Sequence, residues 1–258
     1  MALLDRFRLD GKVAIVTGAG RGIGQAIALA FAEHGAHVVC AARSEDEIGA
    51  TAERARAFGV KGIAVRCDVV QTADLQRVVA TTMAELGRID LLVNNAGGYP
   101  PMPFLETDEP SWEWCMRFNV TQAVNLTRLA LPHMLAKDGG AVLNISSAAG
   151  RIVRKNFAAY GTAKAALSFL TRQLAAEFAP RIRVNALGVG AVETSALLPF
   201  LTPELRAEME SMTPMRRLGQ VEDIAVAALW LCSPAGGWVT GKVVEVDGGT
   251  ETTNWPFD

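Results

Sequence analysis

Paired cysteines, clustered histidines and long apolar runs are all missing from this chain, and each absence closes off a class of function. Cys40, Cys67, Cys115 and Cys232 are scattered with no CxxC pair. Neither a disulfide scaffold nor a zinc ribbon is therefore indicated, and free buried thiols in a reducing, cytoplasmic compartment are expected. His34, His37 and His133 lack metal-ligand spacing, so no metal site is expected. The nearest approach to a membrane span, 224–232, stops at Ser-Pro, well short of the roughly 18 apolar residues a span needs. The opening MALLDRFRLDGK carries Asp5, Arg6 and Arg8 where a signal peptide would be apolar. A net charge of −2 gives no general attraction to nucleic acid or anionic lipid. Tyrosine is scarce as well, with two in 258 residues.

What is present is ample apolar material, 50% of the chain, arranged in a regular alternation. Val13–Thr17, 36–41, 63–66, Leu91–Asn94, 141–146, 183–187 and Val243–Val246 read as strands. Most are continuously apolar, as expected of parallel strands covered on both faces. Helical patterns run between them, at 22–34, Thr72–Leu86, 112–135 and 157–178, with Pro132 predicting a kink or early stop in the third. No linker or repeat interrupts the rhythm. The expectation is one α/β domain over 1–258, a single doubly wound Rossmann-type parallel sheet of about seven strands with helices on both faces. One segment departs from it. SALLPFLTPELRAEMESMTPM, with three prolines and three methionines, follows a strand end, and a substrate lid around 195–218 or an ordinary helical connection would explain it equally. A short tail, 248–258, closes the chain.

The first strand runs into TGAGRGIG, in which Gly18, Gly22 and Gly24 have GxxxGxG spacing, and then into a helix. Glycine permits a sharp turn and close approach of the backbone to a pyrophosphate, while the helix N-terminus presents free N–H groups. A methyltransferase could use a similar loop. At the end of the second strand an NAD site usually carries an acid, but here stand Ala42 and then Arg43, with Arg21 inside the glycine loop. Two guanidinium forks suit a 2′-phosphate, which predicts NADP(H), with NAD(H) as the second choice. The competing reading makes Arg43 a solvated residue partnered by Asp46 and Glu47.

Further on, AAYGTAKAALSFL places Tyr160 four residues before Lys164, on one face of a helix. With NNAG at 94–97, FNV around Asn119, NISS ending at Ser147, and Ser147 lying 13 residues before Tyr160, the chain resembles the short-chain dehydrogenase/reductase family over essentially its full length. That resemblance implies an alcohol/ketone oxidoreductase with a catalytic set of Asn119, Ser147, Tyr160 and Lys164. Tyr160 would be the general acid/base. Lys164 would favour its phenolate and hold the nicotinamide ribose, since lowering a phenol by about 3 units takes about 4 kcal/mol. Ser147 would orient the substrate oxygen, and Asn119 would hold water linking Lys164 to solvent. For the cofactor the resemblance implies Gly18, Arg21, Gly22, Ile23 and Gly24 in the loop, Arg43 after the second strand, and Asp68 beside the adenine. It adds Asn95, Tyr160, Lys164, Val192 and Thr194, the last on the carboxamide. Val189 stands where the family usually has proline, which predicts a looser loop beside the nicotinamide.

Within the family, NNAGG with its Pro-rich turn, LTPELRAEMESMTPMRRLGQ and LWLCSPAGGWVTGK resemble bacterial 7α-hydroxysteroid dehydrogenases. This implies a fairly bulky, apolar or steroid-like small-molecule alcohol or ketone and a homotetramer. Arg151, Arg154 and Lys155 lie between Ser147 and Tyr160, as solvated charges or as a greeting for an acidic group. The alternatives are a 3-oxoacyl thioester reductase and a non-catalytic nucleotide-binding regulator.

Overall fold

The computed structural model describes residues 2–195, 197–198 and 201–254. Positions 196, 199 and 200 of the expected lid, and 255–258 of the expected tail, lie outside the described residues. The strands are β1 (Val13–Thr17), β2 (His37–Ala42), β3 (Gly62–Arg66), β4 (Leu91–Asn94), β5 (Gly140–Ile145), β6 (Ile182–Val189) and β7 (Val243–Val246). All pair in parallel in the order β3-β2-β1-β4-β5-β6-β7. The seven-stranded sheet matches expectation. The direction of winding reverses between β1 and β4, and a crevice opens there at the carboxyl ends.

The helices are α1 (Gly22–Glu33), α2 (Glu45–Arg56), α3 (Thr72–Leu86), α4 (Glu109–Met116), α5 (Gln122–Leu135), α6 (Ala158–Phe178), α7 (Pro203–Met212) and α8 (Val221–Cys232). Side chains alternate across a strand, so each β1 residue chooses a face. Ala14 and Val16 pack with α1, α2 and α8, where Phe31 is fully buried and contributes about 1.5–3 kcal/mol. Ile15 points the other way, to a core built from Leu75 and Val78 of α3 and Leu126 and Met134 of α5. The apolar stretch 224–232 is most of α8, and among the described residues no helix is long and apolar enough to cross a membrane.

Two expectations need correcting. The helix expected over 112–135 is split: a π-helical turn, Arg117–Thr121, separates α4 from α5. Pro132 does not end α5, which runs on to Leu135; Pro132 and Arg128, whose carbonyl it frees, both lie on the exposed face. At Val189 the strand continues: β6 reaches Val189, which is buried and pairs with Val246. Unlike proline, valine keeps its N–H and accommodates a ladder position. In the expected lid, α7 carries Leu205 and Met209 inward against Leu218, and Arg206 pairs with Glu193.

Candidate active site

A cleft of about 440 Å³ opens at the carboxyl ends of the central strands. Its nucleotide end is shaped by glycine. Gly18 has φ +65°, and a Cβ there would lie 2.7 Å from Asn95 Nδ2, which donates to Thr17 O at 2.8 Å. At Gly24 a Cβ would fall 2.3 Å from Gly18 O, so the loop closes on itself only without side chains. Thr17 fixes the opposite wall, its Oγ1 accepting from the backbone N–H groups of Asn95 and Ala96, both at 3.0 Å. Helix α1 starts at Gly22 with no side-chain cap, leaving its first N–H groups for an anion. Ile23 and Asp68 line the same cleft, as do Arg21 and Arg43 at its outer end. Val192 and Thr194, beyond β6, complete it; a Cβ at Gly22 would meet Thr194 at 3.7 Å. An anion-ready helix start and a glycine cradle fit a dinucleotide.

The arginines differ in one respect. Arg21 Nη1 lies 3.9 Å from Glu47 Oε1, whereas Arg43 is exposed and has no ion pair among the described residues. The carboxylate partner weighed for Arg43 in the sequence thus belongs to Arg21.

At the inner end, the chemistry-bearing residues converge. Ser147 follows β5 and Tyr160 and Lys164 lie in the first two turns of α6; all three line the cleft. Ser147 Oγ accepts from Ala149 N–H at 3.1 Å. Ser146 turns into α6, joined to Lys164 O at 3.0 Å and Ser168 Oγ at 2.8 Å. Lys164 is buried; its Nζ donates to Ile145 O at 2.9 Å and sits 5.6 Å from the Tyr160 ring centroid. Burial pulls its pKa down from 10.5 to about 8. Burial pushes the Tyr160 phenol up; hydrogen bonding by Ser147 and the charge of Arg154 oppose this, and the Cys115 thiol adds to it.

Asn119 does not line the cleft but stands behind it in the π-helical turn, fully buried. Its Nδ2 donates to Cys115 O at 2.9 Å and Gly98 O at 3.1 Å, and Oδ1 accepts from Gly98 N–H at 2.8 Å. A Cβ at Gly97 would lie 2.8 Å from Asn119 Oδ1 and 3.1 Å from Lys164 Nζ, so both groups face the same small space. The extra backbone residue of the π turn aims Asn119 there.

Flanking loops form the outer walls. Tyr99, Trp114 and Phe118 make an aromatic ladder, with centroids 6.0 and 4.9 Å apart. Met102 N–H donates to Asn156 O at 2.8 Å, joining the Pro-rich turn to the loop after Ser147. In that loop Arg151 is exposed but ion-paired. It donates to Glu251 Oε2 at 2.8 Å, Asp247 Oδ2 at 3.0 Å and Thr250 O at 2.8 Å, with Glu245 3.7 Å away.

Glu47, Gly97 and Thr17 have parts in the site that motif reading did not assign to them, although NNAG and TGAGRGIG contain the last two. Thr17 had a signal, a hydroxyl at the end of a buried strand. The other two become visible only when separate elements meet.

A family model described as enoyl-(acyl carrier protein) reductase matches residues 18–251. An uncharacterised oxidoreductase of Mycobacterium tuberculosis is 48% identical over 254 residues, covering 98% of this chain and 97% of the relative. A 7α-hydroxysteroid dehydrogenase of Escherichia coli K12 is 42% identical over 248 residues, covering 95% and 96%. The solved structure of a 7α-hydroxysteroid dehydrogenase with NADH and 7-oxoglycochenodeoxycholic acid superposes with a TM-score of 0.93. It is 41% identical, with 97% of this chain and 98% of that one covered.

Proposed function

The chain belongs to the short-chain dehydrogenase/reductase family, and from that footing we propose that it interconverts a secondary alcohol and a ketone with NADP(H), Tyr160 moving the proton. The oxidoreductase class follows from the family. The observation that carries the rest is the meeting of Ser147, Tyr160 and Lys164 in the cleft whose other end is the Gly18–Gly24 cradle.

A bound nicotinamide supplies the hydride chemistry. The chain's own residues hold and move the proton. Because burial raises the phenol, Tyr160 rests protonated and donates to a ketone oxygen. Ser147 accepts from Ala149 N–H, and its O–H, which supports the Tyr160 oxygen in the free protein, turns to the same substrate oxygen. Lys164, with one donor on Ile145 O, keeps two others and a charge to restore the proton. Asn119 and Lys164, facing one space at Gly97, hold the water that links them to solvent. Reduction should therefore proceed at neutral pH and weaken as Tyr160 deprotonates, whereas oxidation should strengthen as pH rises.

The solved relative holds NADH, so the NADP(H) preference rests on this chain's Ala42, Arg21 and Arg43. The relative's steroid and the aromatic ladder here support a bulky, apolar or steroid-like substrate. The matched family model's description supports a second reading, a 3-oxoacyl thioester. The complete Asn119–Ser147–Tyr160–Lys164 set argues against a non-catalytic regulator. A cytoplasmic homotetramer completes the proposal; four free, buried cysteines suit a reducing compartment. Steady-state constants for NADPH and NADH on one working ketone test the cofactor. Tyr160→Phe should abolish turnover while retaining NADPH binding, and persistent turnover would overturn the mechanism.

A further inference from the structure

Arg154 stands in the loop between Ser147 and Tyr160, and among the described residues nothing pairs with its charge. Its Nε is buried and has no hydrogen-bond partner. Its Cζ lies 4.7 Å over the Phe157 ring, and that ring meets Tyr160 edge-on with centroids 6.1 Å apart. The guanidinium is thus one aromatic ring beyond the proposed proton donor. Elsewhere the half-buried Arg183 and the more exposed Arg151 both find partners. Arg183 gives its donors to the carbonyls of Leu231 at 2.6 Å and Gly236 at 3.0 Å, and Arg151 has its acids.

A guanidinium keeps its charge at any working pH, and Arg154 is half-buried, with its Nε shut away from water and no counter-ion beside it among the described residues, which is unfavourable. An unpartnered buried polar atom calls for an explanation, and an anion from outside the free chain supplies one. The stacking on Phe157 covers one face of the plane and leaves the donor edge, which matches an oxyanion in a two-point contact. Burial pulls the Arg154 pKa below its ordinary value, and the nearby Tyr160 acts against that.

We propose that Arg154 receives an anionic group of the substrate, a carboxylate or similar oxyanion, on the side of the Phe157 ring away from Tyr160. This deepens the alcohol/ketone reading and rests on it. The preferred ketone is then an oxo acid, and Arg154 sets specificity rather than moving a proton.

The test uses 3-oxo- and 4-oxocyclohexanecarboxylate, each beside its uncharged methyl ester, with wild type, Arg154→Gln and Arg154→Lys. Wild type should prefer at least one acid over its ester by about tenfold or more in kcat/KM, chiefly through KM. Arg154→Gln should bring that ratio close to one, and Arg154→Lys should restore part of it. An unchanged ratio in Arg154→Gln overturns the proposal. So does an equal loss on acid and ester with a shifted pH profile, which would make Arg154 a positioning residue for Tyr160. Calorimetric binding of the same acid and ester pairs to the NADP⁺-loaded proteins keeps the two readings apart. Absence of turnover with every ketone counts against the reaction class, while equal binding of acid and ester by wild type and variant still rejects the anion site.

Discussion

Gly97 keeps open the space that Asn119 and Lys164 share, and no other residue type can stand there without filling it. Asn119 is held by three hydrogen bonds and cannot retreat from a methyl group at 2.8 Å. Gly97→Ala should lower kcat by about tenfold to a hundredfold with little change in cofactor affinity, read by steady-state kinetics and by NADPH titration. Glu47 acts in the opposite sense at the far end of the cleft. Its carboxylate beside Arg21 would repel a 2′-phosphate, so Glu47→Gln should raise the kcat/KM preference for NADPH over NADH about fivefold. A fall in that ratio would show that Glu47 orients Arg21 rather than opposing the phosphate. Lys164 carries the pH dependence. Its folded pKa, about 8, is below its unfolded value, so between those pH values the unfolded chain binds more protons and stability rises with pH. Measured against Lys164→Met in the cofactor-free protein, unfolding free energy should gain about 2 kcal/mol between pH 7 and 9.5. A flat difference would mean that Lys164 titrates normally.

Among the elements, the loop after β5 holds most of what distinguishes this site. Arg151 ties it to β7 and to the segment behind it, and Met215 N–H donates to Gly248 O at 3.1 Å, joining that segment to the residues after α7. Arg151→Ala should speed hydrogen exchange at 213–216 and 247–251 and raise KM. The stability loss should stay near 1 kcal/mol, because the guanidinium is partly exposed. Exchange rates unchanged in both segments would contradict this. The strands were legible in the sequence because burial on both faces demands unbroken apolar runs. The proposed catalytic set was legible through the family resemblance, because Asn119, Ser147, Tyr160 and Lys164 keep the family's order and spacing along the chain. Helix α2, EDEIGATAERAR, was not, since its buried face is only Ile48, Thr51, Ala52 and Ala55. The π turn was invisible because one additional residue hardly disturbs a helical apolar pattern. Arg151, Arg154 and Lys155 read alike, as solvated charges or as a greeting for an acidic group, because sequence cannot say which loop arginine is left without an acid.

For the whole molecule, the exposed apolar residues are informative. Trp238 is fully exposed, and Val226 on α8 and Phe169 on α6 are more than half exposed. They fit the proposed four-chain assembly, and Trp238→Glu should shift the sedimenting particle to fewer chains; an unaltered particle would place the contacts elsewhere. The Arg151 tie has one further consequence, in the timing of synthesis. Every residue proposed to touch cofactor or reacting oxygen has been made once Thr194 leaves the ribosome, yet the acids that steady the loop between Ser147 and Tyr160 are Glu245, Asp247 and Glu251. A nascent chain can close its nucleotide cradle early, but its substrate side waits for Glu245, Asp247 and Glu251, which follow Thr194 in the chain.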